Sequence, residues 1–330
     1  MKRIPIHRAA LIAAIALAAG AAQAQSSVTL SGLLDVSAGQ SKAAGSTSRV
    51  WGVDNGNMTT SWFGASGSED LGGGLSALFT LQTFMRADTG ASGRFGADTF
   101  WARNAFVGLA SKDFGKVTLG RNTTPFFVTT LSFNPFGDSF GYSPSIRHYF
   151  TSGTLTGDSG WSDSVLYTSP NLGGATLQLF MAAAEAGSNG RNHGVNLRWG
   201  AGAIDAAFSW QDVKKDGATA VADTKAWQAA ASYDFGVAKA FGQYGKVDNK
   251  TTGNSYDIAG LGASVPLGNG KILAQWGQIK PETGPKRKTF SAGYDYFLSK
   301  RTDLYAVAMS DKITGQSSGS AFSVGIRHRY

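Results

Sequence analysis

The chain has no cysteine in its 330 residues. Disulfides and thiolate metal sites are therefore excluded, and the fold has to be held by packing and by its hydrogen-bond ladder. Apart from Ala9–Ala22 it also has no long apolar run, and that one falls short of the roughly 20 residues a membrane-crossing helix needs. A helical membrane protein is excluded on this ground. Proline is scarce, 8 residues against 44 glycines, a balance that suits many strands and tight turns better than disorder. Histidine is scarce too, and neither Gly-x-Ser-x-Gly nor His-Glu-x-x-His occurs. Gly260-Leu261-Gly262 is a fragment of a dinucleotide fingerprint without its third glycine, better read as a strand with close backbone packing. These absences argue against an enzyme, for which positioned acid–base or nucleophilic groups are required. No basic stripe with interleaved aromatics exists, so nucleic acid is not an expected partner. No ligand spacing supports a metal, and no cofactor is implied.

What is present begins with an address. Lys2, Arg3 and Arg8 precede the apolar run, which ends in Ala22-Gln23-Ala24, the pattern of a secretory signal peptide cleaved after Ala24. Residues 25–330 would then form one domain, since no linker or composition shift divides them. Loss of the three leader cations lowers the formal charge from +8 to +5.

The last nine residues are two-faced. Phe322, Val324, Ile326, His328 and Tyr330 share one parity, and Ser323, Gly325, Arg327 and Arg329 the other. In a strand parity is face. An apolar face opposite a small or cationic one suits a soluble half-buried sheet or a membrane barrel with lipid outside and water inside. The rest of the chain favours the barrel. Sixteen strands are expected near 27–37, 59–67, 74–86, 101–111, 115–121, 162–169, 174–184, 191–199, 203–212, 224–234, 237–247, 255–266, 271–279, 287–297, 302–311 and 319–330. Ile204, Phe208 and Trp210 oppose Asp205 and Ser209; Phe290, Tyr294 and Tyr296 oppose Thr289, Ser291 and Asp295. Connections alternate between short turns such as Phe235–Gly236 and long polar loops such as 38–58, 87–100 and 213–223. That asymmetry belongs to up-and-down outer-membrane barrels, and sixteen strands leave an aqueous lumen where eight would be filled by side chains. The expected fold is all-β: a 16-stranded antiparallel transmembrane β-barrel.

One loop differs. Residues 122–161 carry eight Phe or Tyr: Phe126, Phe127, Phe133, Phe136, Phe140, Tyr142, Tyr149 and Phe150. A solvated loop would not be this aromatic. One folded back into the lumen would be, and it would narrow the pore.

Several segments carry a resemblance. Ser27-Val28-Thr29-Leu30-Ser31-Gly32 opens the first strand. Gly67-Ser68-Glu69-Asp70-Leu71-Gly72-Gly73-Gly74-Leu75 forms a turn motif. Arg103-Asn104-Ala105-Phe106-Val107-Gly108-Leu109 is followed by Phe114-Gly115-Lys116-Val117-Thr118-Leu119-Gly120-Arg121. Ser164-Val165-Leu166-Tyr167-Thr168-Ser169-Pro170 and Gly325-Ile326-Arg327-His328 complete the set. On these the chain resembles the trimeric sixteen-stranded porins of Gram-negative bacteria, of the neisserial and beta-proteobacterial type, over the whole mature length.

The resemblance implies a homotrimer in the outer membrane, in contact with lipid and lipopolysaccharide, passing ions and small polar solutes by diffusion, with the third external loop as constriction. The terminal aromatic, Tyr330 where the family usually has Phe, is similar to the signal read by the outer-membrane assembly machinery. Arg103 matches a frequent constriction arginine, although its parity with Val107 and Leu109 would place it toward lipid unless the register breaks. Two further family arginines are replaced here by Trp62 and by the Gly160-Trp161-Ser162 segment.

Fixed charge at a narrow point sets selectivity. The candidates are Arg103, Arg121, Arg147 and His148, facing Asp138, with Glu69 or Asp35 elsewhere on the wall. Asp138 and Asp158 are the acids of the inserted loop, and a weak anion preference is expected. If Trp62 and Trp161 both reach the constriction, flat or apolar solutes such as sugars or aromatic acids would be favoured, with Tyr305, Val307 and Met309 adding apolar inner surface. A barrel with a plugged lumen, acting as adhesin or structural element, is the alternative of another class.

Overall fold

A computed structural model of the chain describes residues 27–155, 159–184, 191–215, 221 and 223–330. The leader 1–24 and Asp158 lie outside the described residues. Sixteen antiparallel barrel strands follow in chain order. They are β1 Ser27–Lys42, β2 in two segments (Val50–Asn55 and Trp62–Gly72), β3 Leu75–Arg86, β4 Asn104–Ser111, β5 Gly115–Thr123, β6 Gly160–Thr168, β7 Ala175–Ala182 and β8 Asn192–Ala201. They continue with β9 Ile204–Val213, β10 Thr224–Asp234, β11 Lys239–Asn249, β12 Asn254–Leu267, β13 Gly270–Pro281, β14 Arg287–Phe297, β15 Thr302–Ile313 and β16 Gly319–Arg329. A two-residue strand, Ala91–Ser92, pairs with the end of β3. Two short helices, α1 Pro125–Ser132 and α2 Pro144–Phe150, belong to the long aromatic loop.

Each strand pairs with its sequence neighbours, and β1 pairs with β16 from Leu33↔Arg329 to Lys42↔Ser320. This last ladder closes the cylinder, so no strand edge is left open to recruit another chain. The seam is finished by reciprocal backbone bonds between Gly32 and Tyr330, 3.2 and 3.1 Å. Gly32 is needed there, because a Cβ would lie 2.5 Å from the Tyr330 ring.

The alternation resolves into two surfaces. Phe322, Val324, Ile326, Phe208 and Phe290 are exposed on the outside, while Ser323, Arg327, Ser209, Thr289 and Ser291 are buried within the barrel. No helix among the described residues is long and apolar enough to cross a membrane. The crossing is made by strands, whose ladders close around the ring.

Two departures from the sequence expectation matter. The second strand starts earlier than expected but is interrupted: β1 pairs with Val50–Asn55 at its outer end and with Trp62–Ser68 at its inner end, and 56–61 leaves the ladder. That insertion is tied to the wall by Asp35, whose Oδ2 accepts from the backbone N–H of Met58 at 2.7 Å and of Thr59 at 2.6 Å. The fourth strand begins at Asn104, where Gln82↔Asn104 is the first pair of its ladder. Arg103 lies just before that pair with its own N–H bonded to the Gln82 carbonyl at 3.3 Å, so Arg103 and Asn104 both oppose Gln82 and the regular alternation breaks there, as the inward placement of Arg103 requires.

Candidate functional site: the barrel lumen

The loop after β5 turns into the barrel. Thr124 caps α1 by accepting from Phe127 N at 3.1 Å, and Ser143 caps α2 by accepting from Ile146 N at 3.3 Å, each followed by proline in the first turn. This Ser/Thr-Pro start fixes two short helices where the chain must fold back on itself. Their aromatic faces meet the inner wall. Phe126, Phe127, Ile146, Tyr149 and Phe150 form one dry cluster with Ala226, Val247, Ile258 and Ile279 of β10 to β13. Phe126 and Tyr149 pack edge to face at 5.4 Å.

The wall makes room with glycine. A Cβ on Gly277 would sit 2.7 Å from Pro144, and one on Gly262 would sit 2.6 Å from Pro135. The close packing expected at Gly260-Leu261-Gly262 is thus packing against the loop. Glutamines satisfy several of the loop's polar groups. Gln228 donates to the Phe126 carbonyl at 2.6 Å, Gln243 to the Thr130 carbonyl at 2.8 Å and Gln275 to Ser145 Oγ at 2.7 Å.

The loop tip reaches the other side of the lumen. Ser139 Oγ donates to the Asn57 carbonyl at 2.7 Å, Tyr142 Oη lies 2.6 Å from Ser323 Oγ, and Thr59 Oγ1 donates to Asp138 Oδ1 at 3.1 Å. The surrounding wall is ionic. Arg327 binds Asp295 at 2.7 Å and Asp303 at 2.6 Å, and Arg287 binds Asp311 at 2.6 Å.

Of the sequence-selected residues, Arg103, Trp62 and Asp138 come together. The Arg103 guanidinium lies 4.1 Å above the Trp62 ring, hydrogen-bonds Gln82, and feels the Asp138 carboxylate across the gap. Burial raises the Asp138 carboxyl above the usual range, against the lowering effect of its Thr59 hydrogen bond and of Arg103.

Arg121 is elsewhere. It sits where the β5–β6 register shifts, between Gly120 and Asn122, and its guanidinium is spent on the Ala102 carbonyl (2.6 Å), the Gly160 carbonyl (3.4 Å) and Ser162 Oγ (3.1 Å). His148 is fully buried between α2 and the wall, with Nε2 2.9 Å from Thr289 Oγ1. Burial, aided by the nearby Arg287 and Arg147 charges, pushes its pKa down to about 3, so it is a neutral anchor and not a cation of the pore. Arg147 lies on the outer side of the loop beside Arg287 and Asp311. Glu69 sits at the short-turn end of β2, in register with Ala77 and away from the loop.

The paired-tryptophan arrangement does not form. Trp161 is 4 % exposed and stacks on Phe180 at 4.4 Å, within a wall cluster of Ala182 and Val213. The apolar inner surface expected from Tyr305 and Val307 is likewise covered, each 2 % exposed, by Met58, Phe136 and Tyr142. Met309 packs at the edge of this cluster and reaches the outer cavity. Sequence reasoning overlooked Gly277, Gln228, Asp35 as a bracket, and the Arg327 cluster. Of these, only the glutamines on inward parity carried a usable signal.

Open space remains on both sides of the loop. Toward the long loops there is a cavity of about 660 Å³ whose charged lining is Lys42, Arg86, Arg94, Arg147 and Arg287 against Asp54, Asp88 and Asp311. Toward the short turns there is one of about 470 Å³ lined by Lys239, Lys271, Arg327 and Arg329 against Asp138 and Asp295. Cations outnumber carboxylates in each. Among the described residues, no cluster of three or more His, Cys, Asp or Glu could hold a metal.

A closed sixteen-strand barrel with a loop folded into an aqueous, charged lumen defines a class, the diffusion channels of the outer membrane. The model of the Gram-negative porin family matches residues 10–316, and the chain belongs to that family. It is 34% identical over 310 residues to outer membrane porin protein 32 of Delftia acidovorans, covering 88% of this chain and 86% of that one. It is 29% identical to an outer membrane porin protein of Bordetella pertussis, over 97% and 99% of the two chains. Among solved structures, the anion-selective porin from Comamonas acidovorans superposes with a TM-score of 0.78 at 27% identity, covering 92% of this chain and all of that one. The protein is an outer-membrane porin, a passive channel for small solutes, and its family and fold are not those of an enzyme.

Proposed function

We propose that this porin conducts anions modestly better than cations, through a constriction where Arg103, stacked on Trp62, faces Asp138 of the inserted loop. The observation that carries this reading is the excess of cationic side chains in both cavities. Low-dielectric walls focus such fixed charge into the aqueous path, raising the local concentration of counter-ions. The relative described as anion-selective points the same way. Arg147 contributes at the outer mouth. Arg121, His148 and Trp161 act in the wall and under the loop. The chain performs no catalysis.

The proposal extends to assembly. The leader is removed after Ala24, leaving 25–330 as the porin domain. Tyr330 completes the strand read by the assembly machinery, and three copies associate among lipid and lipopolysaccharide, as the likeness to trimeric porins implies. Reversal potentials of the refolded protein in a potassium chloride gradient test the selectivity. A chloride-directed potential is expected, and a potassium-directed one would refute it. Cross-linking in detergent tests the trimer.

A further inference from the structure

The outer cavity holds more than a surplus of one charge. Arg94 and Arg287, two of its five cations, are occupied by Asp98 and Asp311. Arg147 and Arg86 have no carboxylate partner among the described residues. Arg147 reaches only backbone, the Gly141 carbonyl at 3.2 Å and the Phe140 carbonyl at 3.5 Å, and its Nε makes no bond. Arg86 reaches only the Ser92 carbonyl, at 3.4 Å, and its Nε is likewise unbonded.

The cavity's carboxylates are just as available. Asp54 is exposed on the inner face of β2, in register with buried Ser37, and Asp88 is exposed in the turn after β3. Neither has an ion pair among the described residues. The two signs are held at fixed positions. Asn55 donates to the Met85 carbonyl at 3.2 Å and accepts from Ala87 N at 3.0 Å, which locks the Asp54 segment to the Arg86 turn. Tyr142, clamped by Ser323, lines the same cavity as Asp54 and Arg147.

A cavity meant only to attract anions has no use for two free carboxylates at its mouth. Separated free charges of both signs match a solute that carries both. We propose that the outer vestibule binds small zwitterions bearing an ammonium and a carboxylate, amino acids and short peptides, with Arg147 and Arg86 taking the carboxylate and Asp54 and Asp88 the ammonium. Charge-assisted hydrogen bonds at both ends give the site its selectivity over simple anions. This deepens the porin reading and rests on it.

The test is current through single channels in planar bilayers, recorded first in potassium chloride alone. Steady openings there establish the pore whatever follows. Glycylglycine, N-acetylglycylglycine and glycylglycine amide are then added to the side of the long loops. Glycylglycine is expected to interrupt the current at millimolar concentration, with little voltage dependence because it carries no net charge. The acetylated and amidated forms each lose one end and should bind roughly tenfold more weakly. Asp54→Asn should weaken the glycylglycine block while sparing any residual effect of the acetylated form, and Arg147→Gln should weaken both. Equal block by the acetylated form, or a stronger block in Asp54→Asn, would mean a plain anion site and would overturn the proposal. An open channel indifferent to all three peptides would overturn it as well.

Discussion

The two halves of the inner wall are built on different principles. From β10 to β13 the inward residues include Ala226, Val247, Ile258 and Ile279, with Gly245, Gly260, Gly262 and Gly277 and the loop-binding Gln228, Gln243 and Gln275 between them, and the loop is packed onto them. From β14 round to β3 the inward residues include Asp295, Asp303, Arg327 and Asp35, joined to one another and to Tyr305 and Thr59 by ion pairs and hydrogen bonds, with Val307 covered by Met58, Phe136 and Tyr142. The usual rule, apolar toward lipid and polar toward lumen, is therefore relaxed where the loop covers the wall. Where a loop covers the wall, the inner face is chosen for burial and close approach. The outer cavity is lined by the ionic half and the loop, while the inner one is bordered by β11 to β13 as well as by Asp295, Arg327 and Arg329.

Unseating the loop should have the largest effect. Tyr149→Ala removes a fully buried ring, and such truncations cost about 3–5 kcal/mol. The barrel should still assemble, but single-channel currents should become larger and noisier, and protease should cut within 122–161. Gly277→Val should act in the same direction through its clash with Pro144.

On the ionic half, Arg327→Gln strands Asp295 without a cation and leaves Asp303 with Arg329 alone, 2.9 Å away. Breaking a buried pair costs about 3–5 kcal/mol, to be read as a lower urea midpoint. Adding Asp295→Asn should recover part of the loss.

Acid distinguishes the halves. His148 is neutral in the seated loop, with a pKa of about 3, against 6.5 when released. Below pH 6.5 the released state binds the extra proton, so seating weakens as pH falls from about 6.5 toward 3 and is fully retained above it. Conductance should grow noisy in that window, and His148→Gln should flatten the dependence.

Selectivity is a smaller effect. Arg103→Gln should reduce the chloride-to-potassium permeability ratio by about a few-fold, seen as a shift in reversal potential. Glu69→Gln, remote from the loop, should leave it unchanged.

The outer half of this architecture was legible in the chain, because strand parity and turn spacing are local properties. The sixteen strands lie where alternation places them, apart from the extension of β1 to Lys42 and of β2 to Val50 into the expected loop 38–58, the break in β2 and the later start of β4, and the aromatic loop lies inside. Parity was uninformative for Arg103, which precedes its ladder, and for Arg121, which sits at a register shift. The fates of Trp161, Tyr305 and Val307 depended on which part of the wall the loop covers, a long-range fact with no local signature. The seat was written in Gly260-Leu261-Gly262 and Gly277, yet a glycine in a strand does not say what approaches it.

The central claim, a loop seated on the wall of β10 to β13 with open cavities left on either side of it, can be tested with a single cross-link. The chain has no cysteine, and a Cβ on Gly260 would lie 2.9 Å from Ser145 Oγ. That is close to the separation of about 3 Å that a disulfide sets between one Cβ and the opposite sulfur. Single-channel conductance of the Ser145→Cys, Gly260→Cys protein should be measured before and after oxidation. The account predicts that the disulfide forms readily and leaves conductance and reversal potential unchanged. Failure to cross-link in the folded barrel, or a current that changes when the loop is locked, would contradict it.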